Sequence, residues 1–219
     1  MNPETSLFRL TAVRGLKDDP MRIPWSIITL SPVFCSVALV TVLCLRRDLQ
    51  TITFGIGQTL DLCLNVWVKR YFKHPRPEPS YCINEGYGFP SHHTQYAAFF
   101  ATYYMLFLHR RVTCSQHARI FCTVVLGCWV VAVGISRCYL TCHTPGQVLG
   151  GAKLGCLVGA AWYSVYELLW LPRLPAIASH PICRYLMIRD YSLVGNSVEL
   201  EYGGLQAHIK GLSVGDKGI

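Results

Sequence analysis

The sequence predicts an all-α fold, a polytopic transmembrane helical bundle of about five spans. Apolar residues make up 52% of the 219-residue chain and charged ones only 15%, too few charges for an ordinary soluble domain. Several apolar runs reach bilayer-crossing length, about 20 residues. Basic residues cluster mainly at the ends of those runs.

The formal charge of +8 could serve nucleic acid or an anionic surface. The basic residues cluster at the ends of apolar runs, build no long stripe and accompany no nucleic-acid motif. Membrane lipid is therefore the expected surroundings and nucleic acid is not. The 11 cysteines contain no C-x-x-C pair. Cys35, Cys44, Cys63, Cys122, Cys128 and Cys156 fall inside apolar runs, where a thiol acts as a small hydrophobe. Cys82, on a polar loop, is the expected exception, as a disulfide or a free thiol.

Taken in order, residues 1–24 read as a polar lead-in closed by Pro20 and Pro24. Glu4, Arg9, Arg14, Lys17, Asp18 and Asp19 leave it no apolar core, which argues against a cleaved signal peptide. The first span runs from Trp25 to Leu45 and stops at Arg46-Arg47-Asp48. In the second, about Thr51 to Tyr71, Gln58, Asp61, Asn65 and Lys69 recur at three- or four-residue steps. They share one helical face, and in lipid such a stripe turns inward. Asp61 then either hydrogen-bonds across the bundle or supports Lys69.

Residues 75–90 carry Pro75, Pro77, Pro79, Gly86, Gly88 and Pro90, which exclude a regular helix. The third span, about Ser91 to Leu108, is closed by His109-Arg110-Arg111. A short fourth span, about Ile120 to Ile135, ends at Ser136-Arg137. Thr144-Pro145-Gly146-Gln147 forms a capping-box pattern that opens the fifth span, reaching Trp170. Gly151, Gly155 and Gly159 smooth one face of it for close helix contact, and Lys153 snorkels outward. Residues 176–190 are expected to form an interfacial helix bearing Arg184 and Arg189, and the tail beyond Tyr202 to be loosely ordered. The expected organisation is thus a lead-in (1–24), a transmembrane domain (25–175), and an interfacial helix with tail (176–219).

Five spans put the loops 72–90 and 137–143 on the same face. Arg46, Arg47, Arg110, Arg111 and Arg119 fall on the other, which the positive-inside tendency assigns to the cytosol; the basic lead-in weighs the opposite way. On the loop face Lys69, Arg76 and Arg137 supply three permanent cations, the Arg forks matching phosphate oxygens bidentately. Ser91 opens the third helix, where free amides and the helix dipole favour an anion. Together they could hold a phosphoryl group without a metal. The acids nearby, Glu78, Glu85 and Asp61, make a poor Mg²⁺ site. A zinc site from His92, His93 and His143 is disfavoured by the surrounding cations. That leaves the imidazoles of His93 and His143: one can attack phosphorus, the other can protonate the leaving oxygen.

Lys69-x6-Arg76-Pro77, Pro90-Ser91-His92-His93 and Ser136-Arg137-x5-His143 together resemble the three-part signature of the phosphatidic acid phosphatase type 2 superfamily, which also includes the vanadium haloperoxidases. The resemblance implies metal-independent phosphohydrolysis through a phosphohistidine, with no cofactor. By it, His143 is the nucleophile, His93 the acid, and Lys69, Arg76, Ser91 and Arg137 the phosphate ligands. Two positions depart from the pattern. His92 stands where the family usually has Gly, placing a second imidazole beside the phosphate that competes with His93 for the acid role. Gln147 stands where the family usually has Asp; it can accept a hydrogen bond from the His143 ring but adds no charge, and the capping box is its other use.

Leu30-Ser31-Pro32-Val33-Phe34, Tyr87-Gly88-Phe89-Pro90-Ser91 and Leu186-Met187-Ile188-Arg189-Asp190 with Ser192-Leu193 resemble the dolichyldiphosphatases of that superfamily. This implies hydrolysis of dolichyl diphosphate at the lumenal face of the endoplasmic reticulum membrane, recycling the lipid carrier of N-glycosylation. Two alternatives stand beside it: a broader phosphatase for phosphatidate-like monoesters, and a catalytically silent binder of lipid headgroups.

Overall fold

The computed structural model describes residues 19–78, 86–192, 194 and 197–215, together with the backbone of 5–8 and 13–16. Five long helices dominate it: α1 (Arg22–Arg46), α2 (Leu49–Phe72), α3 (His92–Arg110), α4 (Gln116–Tyr139) and α5 (Pro145–Val165). α1, α4 and the helical run from α5 to Ser179 are long and apolar enough to cross a membrane. α2 and α3 have similar lengths, and their inward faces carry the polar residues.

α1 contains Pro32, whose missing N–H orphans the Ile28 carbonyl. Ser31 Oγ donates to that carbonyl at 2.6 Å and accepts from Trp129 Nε1 of α4 at 2.8 Å. The proline's gap thus becomes an anchor between two helices. Asp48 caps α2 at Thr51 N, and Ser115 caps α4 at Ala118 N. That second cap lengthens α4 beyond the expected short span, so Ser136 and Arg137 lie in its last turns, not after its end.

α3 and α5 run in the same direction and pack closely. A Cβ placed on Gly151 would lie 2.5 Å from the Ser91 carbonyl oxygen, one on Gly155 would overlap the Gln95 carbonyl, and one on Gly159 would lie 2.8 Å from the Phe99 carbonyl. Three glycines of α5 therefore meet three backbone positions of α3 with the same four-residue step. Far from the N-termini of these two helices, Phe54, Phe99, Tyr103, Tyr163, Tyr166 and Leu174 form the apolar core.

Past α5 the chain tightens through a π-helical turn, Tyr166–Trp170, and a 3₁₀ turn, Leu171–Arg173. The expected interfacial helix is two short ones, α6 (Leu174–Ser179) and α7 (Pro181–Tyr185). Pro181 holds His180 extended, with ψ 139°, which breaks the helix there. The tail is also more regular than expected, forming α8 (Ser197–Gly215). Gly203 and Gly204 cost helix stability, yet Glu201 in the same helix accepts from Arg46 at 3.1 Å and from Tyr191 Oη at 2.7 Å. The lead-in contains a small antiparallel hairpin of β1 (Thr5–Phe8) and β2 (Val13–Leu16), with Thr5 opposite Leu16.

Candidate active site

All three motif segments meet at one end of the bundle. Lys69 sits in the last turn of α2 and Arg137 in the last turn of α4. Arg76 follows α2 on the loop. His92 and His93 open α3, and His143 lies between α4 and α5. Lys69 is within electrostatic reach of both Arg76 and Arg137. His93 is within reach of Arg137, His92, His143 and Lys69, and His92 of Lys69 and Arg137. Arg137, His143 and Gln147 are each less than 5% exposed.

The loops are fastened to one another around this cluster. Arg76 donates from Nε to the Gly86 carbonyl and from Nη1 to the Cys142 carbonyl, both at 3.2 Å. The Ser91 N–H donates to the Gln147 carbonyl and the His143 N–H to the Arg137 carbonyl. The Phe89–Pro90 peptide is cis. α2, α4 and α5 start under side-chain caps from Asp48, Ser115 and Thr144, whereas α3, like α1, has no such cap: Ser91 makes none. The Ser91 hydroxyl instead pairs with Thr94 Oγ1 at 3.1 Å. First-turn amides left open in this way, at a helix N-terminus ringed by cations, are an anion site in physical terms.

The His143 ring is held by its Nδ1. The Gly88 carbonyl lies 2.8 Å from it and Gln147 Oε1 lies 3.2 Å away. Both neighbours are acceptors, so the proton sits on Nδ1 and the Nε2 lone pair is free. Gln147 is itself oriented, because its Nε2 donates to the Pro75 carbonyl at 2.6 Å. Its Oε1 also accepts from the Thr144 N–H, and Thr144 Oγ1 accepts from the Gln147 N–H, completing the capping box. Both readings of this position therefore hold at once. Desolvation, then the charges of Arg137, Arg76 and Lys69, push the His143 imidazole down to about 3, with the Gln147 contact pulling upward. In the protein without substrate the ring is a neutral base.

Several residues in the site's support left no motif in the sequence. Thr29 of α1 pairs with Ser136 Oγ at 2.8 Å and takes a longer, 3.5 Å contact from Arg137 Nη1. Asn65 donates to Gln95 Oε1 at 2.7 Å, and Gln95 donates to Asp61 Oδ1 at 2.8 Å. Asp61 thus bonds across the bundle to α3 instead of supporting Lys69. Cys142 is in a disulfide, so it departs from the small-hydrophobe reading of the cysteines. Cys82 and Glu85 lie outside the described residues. Among the described residues no three His, Cys, Asp or Glu side chains converge as a metal site.

The PAP2 superfamily model matches residues 50–170. The chain is 37% identical over 184 residues to Dolichyldiphosphatase 1 of Homo sapiens, covering 80% of this chain and 77% of that protein. It is 34% identical over 203 residues to Lipid phosphate phosphatase gamma of Arabidopsis thaliana, covering 90% of each. In fold it is similar to the crystal structure of the first transmembrane PAP2 type phosphatidylglycerolphosphate phosphatase from Bacillus subtilis. The TM-score is 0.62 at 24% identity, over 70% of this chain and 80% of that one. With the family model spanning four of the five long helices and the curated relatives most of the chain, this protein belongs to the PAP2 superfamily and is a membrane-embedded phosphohydrolase.

Proposed function

We propose that the protein hydrolyses dolichyl diphosphate to dolichyl phosphate and phosphate, without a metal ion, through a phosphohistidine on His143. The observation that carries this reading is the clamp on His143 Nδ1, which leaves Nε2 as the nucleophile beside three cations. Lys69, Arg76, Arg137 and the open amides of α3 hold the terminal phosphoryl oxygens, with Ser91 and His92 at the edge of the same cradle. The Nε2 lone pair attacks the terminal phosphorus, and the bond from phosphorus to the bridging oxygen breaks. His93, which takes up a proton as the anionic substrate enters the cradle, gives that proton to the bridging oxygen. Dolichyl phosphate leaves, a water attacks the phosphorus as His93 takes its proton, the N–P bond breaks to return the lone pair to Nε2, and phosphate departs. Gln147 and Gly88 keep the proton on Nδ1 as the ring gains charge. A phosphate leaving group is already stable as an anion, which fits a site whose ring partner is an uncharged amide.

The substrate assignment rests on the curated relatives together with the sequence segments shared with dolichyldiphosphatases. The reaction faces the lumen of the endoplasmic reticulum, where it returns the lipid carrier of N-glycosylation to use. Support comes from the Cys142 disulfide on the site's face, since disulfides persist in oxidising compartments. The arginines at the opposite rim agree with a cytosolic location there.

Phosphate release from dolichyl diphosphate by purified protein in excess EDTA is the test, with phosphatidate alongside. Release from the diphosphate should dominate, and an acid-labile phosphoryl label should accumulate on the wild type but not on His143→Ala. Equal turnover of phosphatidate would overturn the substrate, and a label on His143→Ala would overturn the nucleophile.

A further inference from the structure

A lipid phosphate must bring its phosphorus to the cradle while its hydrocarbon stays in the membrane, so a path for the tail has to begin at the site. An apolar groove of about 720 Å³ runs between α3, α4 and α5, lined in part by residues next in sequence to those of the site. Thr94 follows His93, Cys138 follows Arg137, Val148 follows Gln147, and Pro145 lies two residues after His143; all four line the groove. Consecutive helical residues point about 100° apart, so the helix turns that aim the site residues inward aim these neighbours into the groove.

The groove opens outward through Val131, Ile135 and Leu149, which are 60%, 47% and 55% exposed. Its floor is Gly134, where an added Cβ would lie 3.0 Å from Val148 Cγ1 and 3.9 Å from Thr94 Cγ2. A side chain there would fill the narrow part nearest α3. At the rim Tyr139 donates its hydroxyl to Asp19 at 3.0 Å and stacks obliquely on Trp25, centroids 5.6 Å apart. The polar tip and apolar body of such a residue suit a water–lipid boundary, which places the rest of the groove within the hydrocarbon of the site-side leaflet.

We infer that this groove binds the isoprenoid chain of the substrate, its first units along Gly134 and Val148 and the remainder leaving past Leu149 into the bilayer. The inference rests on the proposed reaction for the identity of the tail. It makes Val131, Gly134 and Leu149 determinants of chain preference, with no part in the chemistry at phosphorus.

Val131→Trp and Leu149→Trp test it at exposed positions that do not burden the core, in full-length protein in detergent. Hydrophobic pocket changes alter discrimination by about 10- to 200-fold. The expected result is a KM for dolichyl diphosphate raised about tenfold, with turnover of farnesyl diphosphate within about twofold of wild type. Equal loss on both substrates, or no change on either, overturns the groove. A diazirine-bearing isoprenyl phosphate gives a readout independent of turnover. It should label the 131–149 segment of wild type and lose that label in Leu149→Trp; label on α1 instead overturns the inference. A labelled groove in a wild type that releases no phosphate from dolichyl diphosphate would fault the proposed reaction and leave the groove standing.

Discussion

The two halves of the bundle look alike from the lipid and differ inside. At the site end most of the larger buried side chains are polar, among them Asp61, Asn65, Ser91, Gln95, Arg137, His143 and Gln147. At the other end Phe54 is surrounded by Phe99, Phe100, Tyr103 and Tyr104, with ring centroids 4.7 to 5.9 Å away. The three ion pairs between described residues, Arg46–Glu201, Arg110–Glu167 and Arg189–Glu201, also lie at that end. Close-packed rings stabilise through area and dispersion, and they ask little of direction. A buried polar network depends on direction, and each group left without a partner is costly. The aromatic half therefore holds the helices together, and the polar half is held in place by them.

That division is tested most severely by His143→Ala against Phe54→Ala. The first should lower phosphate release by about a thousandfold or more, since the proposed nucleophile and its proposed acid–base partnership go, with the thermal midpoint little changed. The second should cost about 3–5 kcal/mol of stability yet keep kcat in the fraction still folded. A folded but inactive Phe54→Ala would erase the distinction.

Gly155 lies where the halves meet. Gly155→Leu should reduce folded yield and activity together, because its side chain would run into the Gln95 backbone and Ala98 Cβ; size-exclusion chromatography and phosphate release check the two losses. Gln147→Leu sharpens the site half alone. It keeps the helix but removes the acceptor at His143 Nδ1 and the donor to Pro75, so kcat should fall about a hundredfold, the cost of misplacing a reacting group by an ångström. KM should hardly move, which a general loss of structure would not give.

The last effect expected is on pH dependence. The folded His143 titrates near 3, below the usual imidazole value of about 6.5. An unfolded chain therefore takes up the proton first as the medium is acidified. Its contribution to stability is complete above about pH 6.5 and is lost as pH falls from there toward 3. Midpoint temperatures measured across that window should decline, and His143→Asn should decline less steeply.

Much of this was legible in the chain because it is written locally. The apolar runs give the five helices, the Thr144 and Gln147 spacing gives the capping box, and three short motifs give the cluster. The Gly151, Gly155 and Gly159 step announced a smooth face without saying what it meets. Contacts between distant segments were not legible. Thr29 is one more hydroxyl in an apolar run until α4 brings Ser136 against it, 107 residues later. Nothing at Gly88 marks its carbonyl as the partner of His143. Asp61 had two readings, and only the position of Gln95 on the facing helix chose between them. In the tail, glycine content argued for disorder, while the contacts of Glu201 with Arg46 and Tyr191 favoured a helix.

The matched step of glycines on α5 and carbonyls on α3 has a consequence for how far apart the two imidazoles can drift. His93 stands on the first turn of one of these helices and His143 just ahead of the other. Any sliding would have to jump a whole four-residue notch, about 6 Å at 1.5 Å per residue, since intermediate positions would drive backbone into backbone. The spacing of these two rings is thus set by a toothed rail running along the helices, and loop motion at the water's edge cannot gradually detune it.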